Sequence, residues 1–224
     1  MNSSSSRACE SAKSFLVRGE QRRRLLMTVV GILICCVSVA FLRQSAFGTD
    51  PFQCLCNGLD RIVPIDFGTM FMILCAIMLS VELFLNRHYI GVATIINLFL
   101  AGYMMEFWES VIYGALGEPG MALRVIYLII GLTSMCFAAS LYFTADLGVS
   151  VYDFIALYLS SIQKRIPFRF LRHLTDLICV LAGLAMGYVP GVGTLLTAFC
   201  TGPLISFFNH SVAEPLRYGR KRAA

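Results

Sequence analysis

Six apolar segments, each close to the length needed to cross a bilayer, constrain this chain more than any other feature of its sequence. A transmembrane helix needs about 20 mostly apolar residues to cross roughly 30 Å of hydrocarbon. Hydrophobic residues make up 58% of the chain and charged residues only 14%, which excludes the soluble, disordered and disulfide-scaffold classes. The sequence therefore predicts an all-α, polytopic membrane helix bundle. The six predicted spans are Leu25–Leu42, Phe67–Leu85, Ile90–Trp108, Val125–Phe143, Leu174–Val189 and Val192–Phe208.

Two further apolar stretches, Phe52–Ile62 and Val151–Ile162, are only about half the length of a span. We predict that each forms a short re-entrant or interfacial helix. If both stretches crossed the membrane, the chain would have eight spans. The distribution of basic residues fits either number, so only the length of the stretches favours six.

Positive charge is distributed unevenly about the six spans. Of the 18 Lys and Arg residues, only Arg43, Arg61 and Arg124 lie on one side of the membrane, and all the others lie on the opposite side. Arg172 is one of those others, in the loop between the fourth and fifth predicted spans. Because basic residues accumulate in cytoplasmic loops, both termini are predicted to be cytoplasmic. We expect a flexible cytoplasmic tail at residues 1–21, a membrane domain at 22–210 and a basic cytoplasmic tail at 211–224.

A shift of 100 residues lays the second half of the chain on the first. Gly91, Val92 and Thr94 fall on Gly191-Val192 and Thr194, within six identities across the 17 positions 91–107. Similarity at a fixed offset indicates an internal repeat, here residues 25–108 and 125–208. Three spans per copy is an odd number, so the second copy must be inverted. Secondary transporters often use inverted repeats, with the binding site at the midplane where the copies meet.

Three segments of the second half carry a resemblance to a known family. They are residues 145–153 (ADLGVSVYD), residues 165–168 (RIPF) and residues 190–205, which begin PGVGTLL and end GPLI. Together they resemble the YczE/YyaS/YitT group of bacterial integral membrane proteins. That family usually has Pro-Trp after the serine, where this chain has Val151-Tyr152. The resemblance implies a multi-pass protein of the bacterial cytoplasmic membrane and no particular reaction.

Helix starts beside the two short stretches are the first candidates for a binding site. Ser150 and Asp153 match a capping box, and Asp50 with Gln53 is the first-half counterpart. Helix N-termini favour anions or carboxylates, although these side chains could merely cap their own helices. Pro203 should kink the sixth span and free a carbonyl near residues 194–202. The candidate substrate-binding residues are Asp146, Gly148, Ser150, Asp153, Thr194, Thr197 and Gly202.

Ionisable residues inside predicted spans are candidates for proton or ion coupling, because such groups are costly in hydrocarbon. They are His173, Asp176 and Glu82. His173 and Asp176 are three residues apart and share a helix face, so they could form a proton-sensitive pair. The alternative is that water or Arg172 solvates them near the end of the span.

No pattern in the sequence points to catalysis. Cys54 and Cys56 form the only local cysteine pair outside the predicted spans, and phosphate-loop, dinucleotide and HExxH motifs do not occur. We therefore expect no enzyme activity, cofactor or metal, and no nucleic-acid partner. Membrane lipid is the expected partner of the exposed apolar surface. The GxxxG sequence at 183–187 would serve packing within the bundle or a homodimer.

The leading hypothesis is a small secondary-transporter-like protein that moves a small anionic or zwitterionic solute through a central site between the repeats. The alternative is a non-transporting membrane scaffold or a regulator of a partner complex.

Overall fold

The structure is a computed structural model that describes residues 3–63, 65–85, 91–148, 150–163 and 168–218. Every regular element in these ranges is helical. The α-helices are α1 (Ser3–Ser45), α2 (Pro51–Asp60), α3 (Phe67–Leu85), α4 (Val92–Ile96), α5 (Gly102–Leu116), α6 (Met121–Ala145), α7 (Val151–Ile162), α8 (Phe168–Ala185), α9 (Val192–Phe208) and α10 (Glu214–Tyr218). Turns of π-helix at Asn97–Ala101 and Asn209–Ala213 join α4 to α5 and α9 to α10.

Five segments of the described chain are long and apolar enough to cross a membrane. They are Gly19–Ser45, Phe67–Leu85, Thr94–Leu116, Met121–Ala145 and Val192–Tyr218. The prediction of an all-helical membrane protein is therefore confirmed. The predicted span Leu174–Val189 is not among the five, because α8 begins at Phe168 and its 18 residues then include three charged ones, Arg172 among them. The predicted place of Arg172 in a cytoplasmic loop is wrong.

Both predicted tails are partly helical in the structure. Helix α1 begins at Ser3 and continues through residues 3–21, a stretch that contains no proline. The second π-turn and α10 cover residues 209–218, so residues 211–218 of the expected basic tail are helical. Helix α3 begins after Asp66, whose carboxylate accepts a hydrogen bond of 2.9 Å from the Thr69 amide. Hydrogen bonds from Thr69 lower the pKa of Asp66.

Residues 24–42 of α1 pack against α6, and the two helices run antiparallel. Gly31 of α1 faces Ala138, and a Cβ atom on Gly31 would lie 3.0 Å from the Ala138 carbonyl oxygen. Gly131 of α6 faces Ser38 in the same way, at 2.9 Å from its carbonyl oxygen. Small residues at these two crossings let the helix backbones approach closely.

Helix bounds recur at an offset of 100 residues along the chain. Helices α1 and α6 end at 45 and 145, α2 and α7 begin at 51 and 151, α3 and α8 end at 85 and 185, and α4 and α9 begin at 92 and 192. The connecting backbone recurs as well. Ala46 and Asp146 have φ values of 56° and 54°, and Gly48 and Gly148 both have 104°. Such positive φ values favour glycine over other residues.

Two glycine contacts connect the halves of the chain reciprocally. Gly91, before α4, packs on the Leu147 carbonyl, and Gly191, before α9, packs on the Phe47 carbonyl. A Cβ atom would lie 2.0 Å from the Leu147 oxygen and 1.9 Å from the Phe47 oxygen, so only glycine fits at either site. The Gly193 amide also donates a 2.7 Å hydrogen bond to the Phe47 carbonyl. We call these the 91–147 and 191–47 contacts.

Substitution of Gly191 by alanine should destabilise the protein, because the added methyl group would overlap a backbone carbonyl. Overpacking of this kind costs on the order of 1–3 kcal/mol. The thermal unfolding midpoint of the purified protein in detergent measures the effect. Gly114→Ala is the control, since nothing lies within 4 Å of a Cβ atom there. Equal midpoints for the two variants would contradict the 191–47 contact.

Candidate functional site

A cavity of about 100 Å³ lies at the centre of the bundle, beside the N-terminal ends of α2 and α7. A single water needs roughly 10–15 Å³ by this measure, so the cavity can hold a small solute. Most of its wall is apolar and aromatic. The ionisable and amide side chains that the argument below uses are Asp50, Gln53, Asp153, Arg172 and Asp176.

Arg172 of α8 is the centre of the charged part of this wall. Its guanidinium forms ion pairs with Asp153 of α7 and with Asp176 one turn further along α8, the second at 3.6 Å. The side chains of Asp153 and Asp176 are 4% and 2% exposed. The guanidinium carbon also lies 4.3 Å from the centre of the Tyr152 ring. A buried charge is costly unless it is paired, and these contacts compensate Arg172.

Two tyrosines complete the network around Arg172. The Tyr142 hydroxyl of α6 donates a 2.7 Å hydrogen bond to the second carboxylate oxygen of Asp153. The Tyr152 hydroxyl of α7 donates to Asp176. Hydrogen bonds to ionised groups are roughly twice as strong as neutral ones. The network therefore holds α6, α7 and α8 together through side chains of fixed orientation.

Aromatic rings from α2 and α7 meet in the cavity wall. Phe52 stacks on Tyr152 with ring centres 4.9 Å apart and planes 26° apart. Phe71 of α3 packs edge-on against Phe52, with centres 5.5 Å apart. Positions 52 and 152 correspond to each other under the 100-residue shift, so the two short helices touch through matching residues. Their N-terminal ends thus face the same cavity.

The two short helices begin differently. Asp50 caps α2 as the sequence predicts: its carboxylate accepts bonds of 3.1 Å from the Gln53 amide and 2.9 Å from the Gln53 side chain. Ser150 lines the cavity at the start of α7, but its hydroxyl makes no capping bond within the described residues. The predicted capping box is wrong there, because the Asp153 carboxylate binds Arg172 and Tyr142 instead.

Of the ten predicted site residues, the cavity brings together three, namely Ser150, Asp153 and Asp176. Asp146 lies at the surface with its side chain 70% exposed, where it forms ion pairs with Arg24 at 3.3 Å and Arg217 at 3.5 Å. Because these cations also bind the last carbonyls of α6, Asp146 belongs to the end of that helix and not to the cavity.

Three further candidates serve contacts between backbones outside the cavity. Gly148 packs against Gly91, and a Cβ atom there would lie 2.6 Å from the Gly91 amide nitrogen. Thr194 is buried beside Gly48, and Thr197 donates a 2.9 Å hydrogen bond to the Thr194 carbonyl. Gly148 thus packs the loop before α7 against the start of α4, while Thr194 and Thr197 hold the start of α9 to the loop before α2. The neighbouring Thr201, which was not predicted, lines the cavity instead.

The predicted His173–Asp176 pair does not form. His173 Nδ1 lies 2.9 Å from the Ala198 carbonyl of α9, and a Cβ atom on Gly202 would lie 3.8 Å from the His173 ring. The imidazole of His173 is therefore hydrogen-bonded to a backbone carbonyl of the neighbouring helix, while the Asp176 carboxylate interacts with Arg172 and Tyr152. Within the described ranges, no group of three or more His, Cys, Asp and Glu residues is placed to hold a metal ion.

Glu82 of α3 is buried, and its carboxylate has no hydrogen-bond partner among the described residues. It does not line the central cavity. Among the polar cavity residues, sequence reasoning missed Tyr142, Tyr152 and Thr201, and it considered Arg172 only as a group that could solvate His173 and Asp176. Arg172 and Asp176 are four residues apart, a spacing that pairs opposite charges on a helix. This spacing was the signal in the sequence that could have predicted their ion pair.

Loss of either partner of the Arg172–Asp153 pair should destabilise the protein strongly, because an uncompensated charge then stays buried. The expected cost for Asp153→Asn is about 3–5 kcal/mol, measured as a shift of the unfolding midpoint in detergent. Asp146→Asn removes an exposed ion-paired carboxylate and should cost no more than about 1 kcal/mol. A midpoint for Asp153→Asn that matches the Asp146→Asn control would contradict the ion pair.

Comparison with known proteins places the chain in a family. Residues 22–210, nearly the whole described membrane region, match DUF6198, a family of unknown function. This chain belongs to the DUF6198 family. No solved structure matches it.

Curated relatives cover most of the DUF6198 chain. It is 27% identical to the uncharacterized protein YyaS of Bacillus subtilis over 180 residues, 80% of this chain and 89% of that protein. It is 25% identical to an uncharacterized protein of Haemophilus influenzae over 198 residues, 87% of each chain. It is 21% identical to the uncharacterized membrane protein YczE of B. subtilis over 193 residues, 86% of this chain and 88% of that protein. The expected resemblance to YczE and YyaS is confirmed.

Proposed function

We propose that this protein is a small-solute secondary transporter, with its binding site in the central cavity between two inverted three-helix repeats. The observation that carries the proposal is the buried Arg172 network beside that cavity, where α2 and α7 meet. Ionisable groups inside a membrane bundle typically mark solute or ion pathways.

The inverted repeat is supported by the relation between corresponding helices. Helices α1 and α6 match under the 100-residue shift and pack antiparallel. In the 91–147 contact the glycine comes from the first half and the carbonyl from the second, and in the 191–47 contact the roles are reversed. A two-fold axis between the halves requires this reciprocity. An axis in the membrane plane would place these two contacts near opposite faces of the bilayer, which is the arrangement of inverted-repeat transporters.

Helix α8 completes the second repeat as a sixth membrane helix. Its 18 residues span about 27 Å at 1.5 Å per residue, close to the hydrocarbon thickness. One face is apolar and exposed, while the opposite face carries Arg172 and Asp176 toward the bundle interior. This division suits a helix with lipid on one side and a polar cavity on the other. The exposed face consists of Leu174, Leu177, Ile178, Leu181 and Leu184.

Helix α2 begins and ends on the same side of the bundle. Gly48, before α2, and Arg61, after it, line one surface cavity of about 320 Å³ together with Tyr188. Arg61 also donates a hydrogen bond to the Gly187 carbonyl, in the same loop that leads to the 191–47 contact. At 10 residues, or about 15 Å, α2 is too short to cross. These contacts favour six spans over eight.

Labelling of an introduced cysteine distinguishes six spans from eight. Residue 118, exposed between α5 and α6, lies outside the cell with six spans and in the cytoplasm with eight. We expect Glu118→Cys, in a background without other accessible cysteines, to react with a membrane-impermeant maleimide on intact cells. Tyr218→Cys should react only after permeabilisation. The reverse accessibility of residue 118 would contradict the six-span topology.

Transport is tested by uptake of a panel of small solutes into proteoliposomes that contain the full chain. Tyr152→Phe keeps the ring but removes the hydroxyl bonded to Asp176. This hydrogen bond orients the Asp176 carboxylate in the cavity wall, and hydrogen bonds to charged groups contribute about 1.5–3 kcal/mol. If that free energy supports solute binding, its loss should lower uptake by roughly tenfold or more. Tyr127→Phe changes a buried tyrosine outside the cavity and should leave uptake unchanged. If the folded protein moves no solute of the panel, a scaffold or regulator role replaces the proposal.

A further inference from the structure

We infer that the cavity binds a small organic cation that carries N–H donors and a short apolar body, such as an alkylammonium ion. This inference rests on the proposed function for the step of transport, and it names the class of solute that the same site takes. Three features of the cavity lead to it: the balance of its charges, its unpartnered atoms and its aromatic wall.

The described residues of the cavity wall contain more acidic than basic side chains. Asp50, Asp153 and Asp176 supply three carboxylates, and Arg172 is the single basic side chain among these residues. Both oxygens of Asp153 already accept hydrogen bonds, from Arg172 and Tyr142, and both oxygens of Asp50 accept from Gln53. Excess negative charge in a buried site is costly, so a bound cation would be stabilised there.

The unpartnered buried atoms of the wall are oxygens. Asp176 Oδ2, Gln53 Oε1 and Thr201 Oγ1 have no hydrogen-bond partner among the described residues. These side chains belong to residues that are 1%, 1% and 6% exposed. A carboxylate and an amide oxygen can only accept, and a hydroxyl can accept as well as donate. A ligand that supplies up to three N–H donors therefore satisfies atoms that are otherwise left without partners.

The rest of the wall suits a cation with an apolar body. Phe52 and Tyr152 stack in the wall, and Phe71 packs beside them. Aromatic rings attract ammonium groups, and most of the remaining lining is apolar. The volume of about 100 Å³ limits the solute to a few heavy atoms.

The cavity is less suited to an anion, because its positively charged groups already have partners. Arg172 is already bound to two carboxylates, and the free amides at the start of α2 are partly satisfied by Asp50. The N-terminus of α2 is therefore partly occupied by Asp50, and the Asp153 carboxylate in the first turn of α7 opposes an anion at the other N-terminus. The structure favours the cationic end of a zwitterion or a simple cation.

Binding to the full chain in lipid nanodiscs tests the inference directly by titration calorimetry. The probes are butylammonium, the neutral butan-1-ol, the anion butyrate, and tetramethylammonium, which is charged but has no N–H donor. We expect butylammonium to bind at least about tenfold tighter than each of the others, since only it satisfies both charge and donors. Tighter binding of butyrate, or equal binding of butan-1-ol, would overturn the cationic class. Equal binding of tetramethylammonium would overturn the role of the unpartnered oxygens.

Two cavity variants locate the binding site. Asp176→Asn and the shape-conserving Thr201→Val should weaken butylammonium binding, the first by at least about tenfold. Asp146→Asn and Thr133→Val, at exposed positions outside the cavity, are the matched controls. Circular dichroism shows whether each variant is folded, and Thr201→Val keeps the test valid if Asp176→Asn is not. Unchanged binding in folded Thr201→Val protein would contradict this site.

Uptake into proteoliposomes separates this inference from the proposed function. Butylammonium binding without uptake of any solute would reject the transporter and retain the cation site. Uptake confined to anions would retain the transporter and reject the cation site.

Discussion

The ion pairs of Arg172 are the interaction on which the centre of this molecule depends. A guanidinium away from water is expensive, and carboxylates from α7 and α8 compensate it. Each carboxylate is oriented in turn by a tyrosine hydroxyl, so α6, α7 and α8 share one polar network. The stacking of Phe52 on Tyr152 extends that network to α2, and this arrangement frames the central cavity.

Helices with continuous apolar composition were predicted closely from the sequence. Predicted and observed bounds of α3 coincide, and α9 begins and ends where expected. Helix α8 was placed six residues too late, because a hydropathy argument assigns a cluster of basic residues to a loop. The partners that allow Arg172 inside the bundle lie on α7 and one turn further along α8, and local composition carries no information about such pairing.

The candidate site shows the same division between local and tertiary information. Asp50 and Asp153 were identified because helix starts have a recognisable local pattern, and both line the cavity. Tyr142 and Tyr152 were missed, since a tyrosine in an apolar helix looks like ordinary core until its hydroxyl partner is known. Thr194 and Thr197 lie outside the cavity, where they pack the start of α9 against the loop before α2, and local sequence does not distinguish such packing from a binding role.

The 91–147 and 191–47 contacts each need one glycine from one half of the chain and one carbonyl from the other. A single half would therefore lack a partner for both of its contacts. If the proposed inverted repeat arose by duplication, the ancestral unit must have paired with an identical unit inserted the other way up. Such an ancestor would have been a dual-topology dimer, whose gene product entered the membrane in both orientations before fusion fixed one of each.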